Sequence, residues 1–165
     1  MGMLVVGIDP GLTGAVCFLN TDGTVAFFDT PTVKIKSGKK TKNRYVPEQM
    51  AEILRGCDAM TSVVVLEFAS TRPGMAAGAV LATGKGWGLW RGIAATLSLP
   101  VEDVTPQSWK GGMLGKGIGG DKGASIRRAC QLYPAAASQL SRAKDDGRAE
   151  ALLMATYYKR CRGWA

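Results

Sequence analysis

The 165-residue sequence contains no histidine, which excludes imidazole acid–base catalysis and histidine-bound metal. Its four cysteines, Cys17, Cys57, Cys130 and Cys161, stand far apart. They offer no zinc-type spacing and read as buried or idle thiols. No apolar run approaches the roughly 18–20 residues needed to cross a bilayer. The N-terminus lacks a basic stretch, an apolar stretch and a cleavage site in series, so no signal peptide is expected and the protein is placed in the cytoplasm or nucleoid. Acids are scarce too: 13 Asp and Glu stand against 21 Lys and Arg, a net charge of +8. That excess in a small chain points to a polyanionic partner. It also makes the few acids that sit at the ends of buried elements worth following.

What is present suffices for a core. An apolar content of 46% is ordinary for a globular protein, and the length predicts one domain over residues 1–165. Met3–Ile8 is a short valine-rich run that reads as a buried strand, ended by Asp9-Pro10-Gly11. Thr13–Leu19 and Thr24–Phe28 predict two further strands joined by an Asp22-Gly23 hairpin turn. Pro31 to Tyr45 is polar and carries Lys34, Lys36, Lys39, Lys40, Lys42 and Arg44, which predicts an exposed basic loop. Pro47 starts a helix to about Arg55, and Ser62–Phe68 predicts a strand parallel to the first. A turn over Thr71–Gly74 precedes a long helix, rich in Ala and Gly, that reaches Leu97. A short strand over Pro100–Val104 and a brief helix over Pro106–Lys110 follow. Gly111–Gly120 holds six glycines in ten residues and is expected to be mobile or sharply bent. Asp121–Leu132 predicts a helix, and Ser141 or Lys144 begins the last one, which ends near Arg160. An antiparallel meander followed by alternating strands and helices predicts a mixed five-stranded sheet with helices on both faces.

Four acids stand at places where side chains leave such a sheet. Asp9 ends the first strand, Glu67 sits near the end of the strand over Ser62–Phe68, and Asp146 and Glu150 are four apart on the last helix. Function in open α/β sheets gathers at the carboxyl ends of strands. Like charges four apart repel by a few tenths of a kcal/mol on a helix, which a cation relieves. Taken singly, each acid also reads as a turn residue, a strand-end charge or a solvated helix face. Together they could converge on hard cations, for which Mg²⁺ takes oxygen ligands. Two such ions roughly 3.5–4 Å apart activate water and stabilise the leaving oxygen of a phosphodiester, with no histidine required.

The motif Gly7-Ile8-Asp9-Pro10-Gly11-Leu12-Thr13-Gly14 resembles the first-strand motif of the RuvC Holliday-junction resolvases. The resemblance continues in Val64-Val65-Leu66-Glu67, in Gly84–Gly92, in Pro106-Gln107-Ser108-Trp109-Lys110, in Asp121-Lys122 and in Asp145–Ala155. These blocks follow family order over nearly the whole chain. The resemblance implies a ribonuclease H-like α/β fold, a homodimer, and symmetric, metal-dependent nicking of four-way or other branched DNA. It implies two Mg²⁺ ions, with Mn²⁺ as a substitute, and no small-molecule cofactor or membrane partner. By motif match Asp9, Glu67, Asp146 and Glu150 correspond to the family's acidic metal-binding cluster, and Lys110 and Lys122 to its lysines near the scissile phosphate. Phe68, Arg72 and Met75 correspond to the segment that enters the junction core, and Lys85, Arg91 and Lys116 join the expected DNA path.

The sequence departs from the bacterial pattern in two ways. Its last two acids are spaced as Asp-Gly-Arg-Ala-Glu, which resembles a phage-type branch of the family and is compatible with a phage-encoded protein acting in the host cytoplasm. That spacing leaves Asp145 and Asp146 as alternatives, with Asp146 preferred because it shares a helix face with Glu150. No clear aromatic matches the family's wedge position. An actin-like phosphotransferase opens with a similar motif but needs two domains, which this length does not supply. A nuclease acting on RNA or flaps, and a junction-binding protein with an inactive site, are the remaining alternatives.

Overall fold

The computed structural model describes residues 2–71, 73–115, 121 and 123–164. The N-terminal meander forms as expected, as β1 (Leu4–Ile8), β2 (Ala15–Asn20) and β3 (Val25–Asp29). A second hairpin follows, β4 (Thr32–Ser37) and β5 (Lys40–Tyr45), and then α1 (Pro47–Arg55) and β6 (Ser62–Glu67). The long helix is α2 (Ala77–Thr96). It leads to β7 (Val101–Val104), α3 (Pro106–Leu114), α4 (Ala124–Leu132) and α5 (Asp146–Cys161).

The main sheet is five-stranded in the order β3-β2-β1-β6-β7, antiparallel across β3, β2 and β1 and parallel across β1, β6 and β7. Apolar residues occupy both of its faces, as a sheet covered on both sides requires. Val5, Cys17, Leu19, Val63 and Val65 point to one side, where they pack with Trp109, Leu152 and Met154. Their neighbours Val6, Ile8, Val16, Val64 and Leu66 point to the other, against Met50, Leu54 and Trp90. Each such side chain contributes about 1.5–3 kcal/mol through burial. Gly7 decides how close α5 lies. A Cβ there would stand 2.0 Å from the Ala151 carbonyl oxygen, so only glycine lets the α5 backbone rest on β1.

The stretch from Pro31 to Tyr45 corrects the sequence reading, for it is a two-stranded ribbon apart from the main sheet. Its lysines fall on both faces, so the alternation that marks a half-buried strand is masked. The turn is Gly38-Lys39, with Gly38 at φ 62°, the positive value that a two-residue hairpin turn needs at its first position. A second correction concerns α3, which runs through Gly111 and Gly112 to Leu114. Pro106 and the Thr105 side chain, which accepts from the Ser108 amide, start it, and the buried Trp109 and Met113 hold it down. Residues 116–120 of the glycine-rich stretch lie outside the described residues. α4 starts later than expected, at Ala124, and 3₁₀ turns at Pro134–Leu140 and Ala143–Asp145 precede α5.

Candidate active site

β1 and β6 are parallel neighbours in which Ile8 pairs with Leu66. One residue beyond each lies an acid, so Asp9 and Glu67 emerge side by side at the same end of the sheet. The Asp9 amide donates to Ala15 O at 3.0 Å, and its carboxylate accepts the Gly11 N–H at 3.1 Å. The chain then folds back over Asp9. A Cβ on Gly14 would meet the Asp9 carbonyl oxygen at 2.2 Å, which no side chain tolerates. The first turn of α5 rests on this loop, since a Cβ on Gly147 would lie 2.8 Å from Thr13 O. Asp146 opens that turn, and Glu150 follows one turn later on the same side.

The electrostatics of Asp9 record the convergence. Its carboxyl is pushed up to about 7, first by burial, against the opposing Gly11 hydrogen bond, and then by the charges of Glu150, Glu67 and Asp146. Solvent still reaches part of its surface, yet protein crowds the carboxyl enough for desolvation to dominate. All three other acids therefore lie within electrostatic reach of Asp9. Among the described residues, no three acids already surround one point as a metal cage would. Each is turned to a protein partner instead. The buried Trp109 donates its indole N–H to Glu67 Oε2 at 2.7 Å. Lys110 Nζ lies 3.1 Å from Glu150 Oε1, and Ser125 Oγ lies 3.4 Å from the same oxygen. Asp146 accepts the amide of Gly147 at 2.9 Å. The set is all oxygen and holds more negative charge than its burial favours, a fit for hard divalent cations.

Asp145 and Asp146 occupy different settings. Asp145 is 2% exposed, accepts the Arg142 amide at 2.8 Å and pairs with the Arg142 guanidinium at 2.6 Å. Those hydrogen bonds hold its carboxyl below the usual range, and it serves to cap the turn ahead of α5. Asp146 is exposed and acts on Asp9.

The other sequence-predicted residues scatter around this centre. Lys110 belongs to it through Glu150. Phe68 follows Glu67, is 43% exposed, and stacks edge-on against Trp87 with 5.8 Å between ring centroids. Met75 lies half-buried just ahead of α2. Lys85 projects from α2 toward the β4–β5 hairpin. Arg91 sits over the Trp87 ring at 5.4 Å and is paired with Asp103 at 2.5 Å. Arg72, Lys116 and Lys122 lie outside the described residues. Sequence reasoning missed Trp109 and Ser125 as partners of the acids. The Pro106–Lys110 motif flagged the right segment, but nothing in it tells a core tryptophan from one that also donates to a carboxylate.

No protein-family model and no curated protein sequence matches the chain. Solved structures do. The structure of Thermus thermophilus RuvC aligns with a TM-score of 0.57 at 16% identity, covering 99% of this chain and 98% of that one. T. thermophilus RuvC in complex with a Holliday junction substrate aligns with a TM-score of 0.58, also at 16% identity, covering 97% and 96%. The chain has the fold of RuvC. The RuvC-like, ribonuclease H-like architecture accounts for the mixed sheet and for acids delivered from β1, β6 and α5 to one end of it. Among the described residues, no helix of this fold is long and apolar enough to cross a membrane.

Proposed function

We propose that the protein is a crossover junction endodeoxyribonuclease, which nicks four-way DNA junctions symmetrically. The observation that carries this reading is the emergence of Asp9 and Glu67 side by side at the ends of β1 and β6, with the charges of Asp146 and Glu150 from α5 acting on Asp9. The RuvC-like fold and the net charge of +8 support it. Asp9, Glu67, Asp146 and Glu150 are the residues that would hold Mg²⁺, two ions per site, or Mn²⁺ in its place. When bound, such ions supply a nucleophilic water at neutral pH and stabilise charge at the leaving oxygen.

The chain's own residues do the remaining work. The Gly11 amide holds the Asp9 carboxylate, Gly14 lets the loop pass close over the Asp9 backbone, Trp109 orients Glu67, and Lys110 offers a cation beside Glu150. Lys110 and Lys122 are assigned to the scissile phosphate, where a cation acts mainly on the charge that develops during cleavage. Phe68, Arg72 and Met75 are assigned to the junction core, and Lys85, Arg91 and Lys116 to the flanking DNA. A four-way junction presents two equivalent strands related by a two-fold axis, so an isologous homodimer is the matching assembly. The assigned site of action is the cytoplasm, with the nucleoid.

Cleavage of a synthetic four-way junction with Mg²⁺, set beside a flap and an RNA–DNA hybrid, tests the proposal. The expected result is paired, symmetric nicks in the junction, lost in Asp9→Asn with DNA binding retained. Preference for the flap or the hybrid would reassign the substrate. Binding without cutting by the wild-type protein would make it a junction-binding protein.

A further inference from the structure

The β4–β5 hairpin takes no part in the carboxylate site, and it divides its charge between two faces. Val33 pairs with Arg44, Ile35 with Lys42 and Ser37 with Lys40, so these six share one face. Lys34 and Lys36 lie on the other, with Asn43 and Tyr45. All six hairpin cations are exposed, and none forms an ion pair with a described residue. No acid occurs between Thr32 and Tyr45.

The first of these faces looks across at α2, and Asn43 and Tyr45 at the foot of the hairpin border the same space. Two adjoining grooves run between them, of about 300 and 510 Å³, and Arg44 and Lys85 line both. Lys42 and the exposed Leu81 border the smaller, while Val33 and Leu89 border the larger. Among the described residues, Glu48 is the one acid lining either. The smaller groove begins at Leu12, three residues after Asp9. The buried Tyr45 locks these parts together, for its hydroxyl donates to Pro10 O at 3.0 Å and reaches Ala82 O at 3.3 Å. One side chain thus joins the foot of the hairpin, the loop carrying Asp9, and α2.

We infer that this groove holds the phosphate backbone of a duplex arm flanking the cut, with Lys42, Arg44 and Lys85 as its contacts. The inference rests on the nuclease reading above and extends it to an element that no acid belongs to. Lys42, Arg44 and Lys85, none ion-paired with a described residue, converge on a concave surface whose apolar walls concentrate their field. Arginine matches phosphate oxygens with two parallel hydrogen bonds, and lysine adds a point charge. The lock through Tyr45 means that DNA seated here is in register with Asp9.

The test compares two double variants of equal charge loss within the one hairpin, K42Q/R44Q on the groove face and K34Q/K36Q on the other. Affinity for a linear duplex and for a junction is measured against salt, with Ca²⁺ in place of Mg²⁺. K42Q/R44Q should flatten the slope of log affinity against log salt by about 1.8, two contacts at about 0.9 each. K34Q/K36Q should change it by less than half as much, and truncating the junction arms should erase the difference. Thermal unfolding of both variants should match the wild type, because the altered side chains are exposed. Equal effects from the two faces, or none from either, would overturn the inference. So would a changed sedimenting mass in K42Q/R44Q with an unchanged slope, which would give the groove to a second copy of the chain. If the wild-type protein nicks no junction, the nuclease reading falls, while the slope on linear duplex still decides the groove.

Discussion

Trp109, wholly buried, donates its indole N–H to Glu67 Oε2 at 2.7 Å. A core residue of α3 thereby aims an acid at the end of β6. Hydrogen bonds to a charged group are worth about 1.5–3 kcal/mol, more than a neutral pair. Trp109→Phe keeps most of the ring and removes the donor. The nicking rate should fall about tenfold or more, and the Mg²⁺ concentration for half-maximal rate should rise. Junction affinity in Ca²⁺ should stay within a few-fold. A variant that merely loosens the core would lower the melting temperature and leave the Mg²⁺ dependence alone, and that outcome would remove Trp109 from the site.

The raised carboxyl of Asp9 makes a prediction about stability in the absence of metal. Its folded value is about 7 against an ordinary value of 3.8, so between these pH values the folded state holds a proton that the unfolded state has released. Stability from this group is therefore present below the unfolded value and declines as pH rises toward about 7. In EDTA, the melting temperature of the wild type should drop relative to that of Asp9→Asn as the pH is raised through this window. The two curves should converge in acid. Parallel curves across the window would mean that Asp9 ionises freely in the folded protein.

Much of this arrangement was legible in the sequence because two periodicities and one motif agree. The runs at Met3–Ile8 and Ser62–Phe68 are apolar on both faces, which only a covered sheet accepts, and each has an acid at or just beyond its end, Asp9 and Glu67. The meander, the parallel crossover and the long Ala- and Gly-rich helix follow from the same logic. The β4–β5 hairpin was not legible. Its strands are held by backbone pairing and by Tyr45 at one end, while its lysines look like those of a solvated loop. Spacing favoured Asp146 over Asp145 without deciding between them. Their difference depends on Arg142 closing a cap around Asp145, a local contact that one residue of helix phase decides.

Gly14 tests whether the loop over Asp9 must keep its path. An added Cβ would stand 2.2 Å from the Asp9 carbonyl oxygen and 3.0 Å from its Cγ, and the first contact is with backbone. Gly14→Ala must therefore displace either the loop or Asp9 itself. A loss of about 1–3 kcal/mol in stability is expected from such overpacking, with nicking reduced beyond what the unfolded fraction explains. Gly11→Ala serves as the comparison, since its nearest neighbour would be 3.5 Å away, an ordinary contact. If the two variants behave alike, the close approach at Gly14 has no bearing on the site.

The proposed dimer makes a prediction at α2. Trp90 is wholly buried in the protein's own core, and Trp87 is half-buried beneath Phe68 and Arg91. Among the residues that α2 leaves exposed, Ala77, Gly84, Gly88, Gly92 and Ala95 form a stripe of small side chains. An added Cβ at Gly84, Gly88 or Gly92 would meet nothing within 4 Å, so larger residues fit there in an isolated chain. Gly88→Lys should therefore leave the fold intact and even stabilise the helix by up to about 1 kcal/mol, since glycine is a poor helix former. If two copies meet along this stripe, the same lysine blocks their approach. The wild type should sediment near twice the 17.4 kDa chain mass, and Gly88→Lys near the chain mass itself. The monomeric variant should still cut, but should nick one strand per binding event in place of both. An unchanged dimer mass in Gly88→Lys would move the interface off this face of α2.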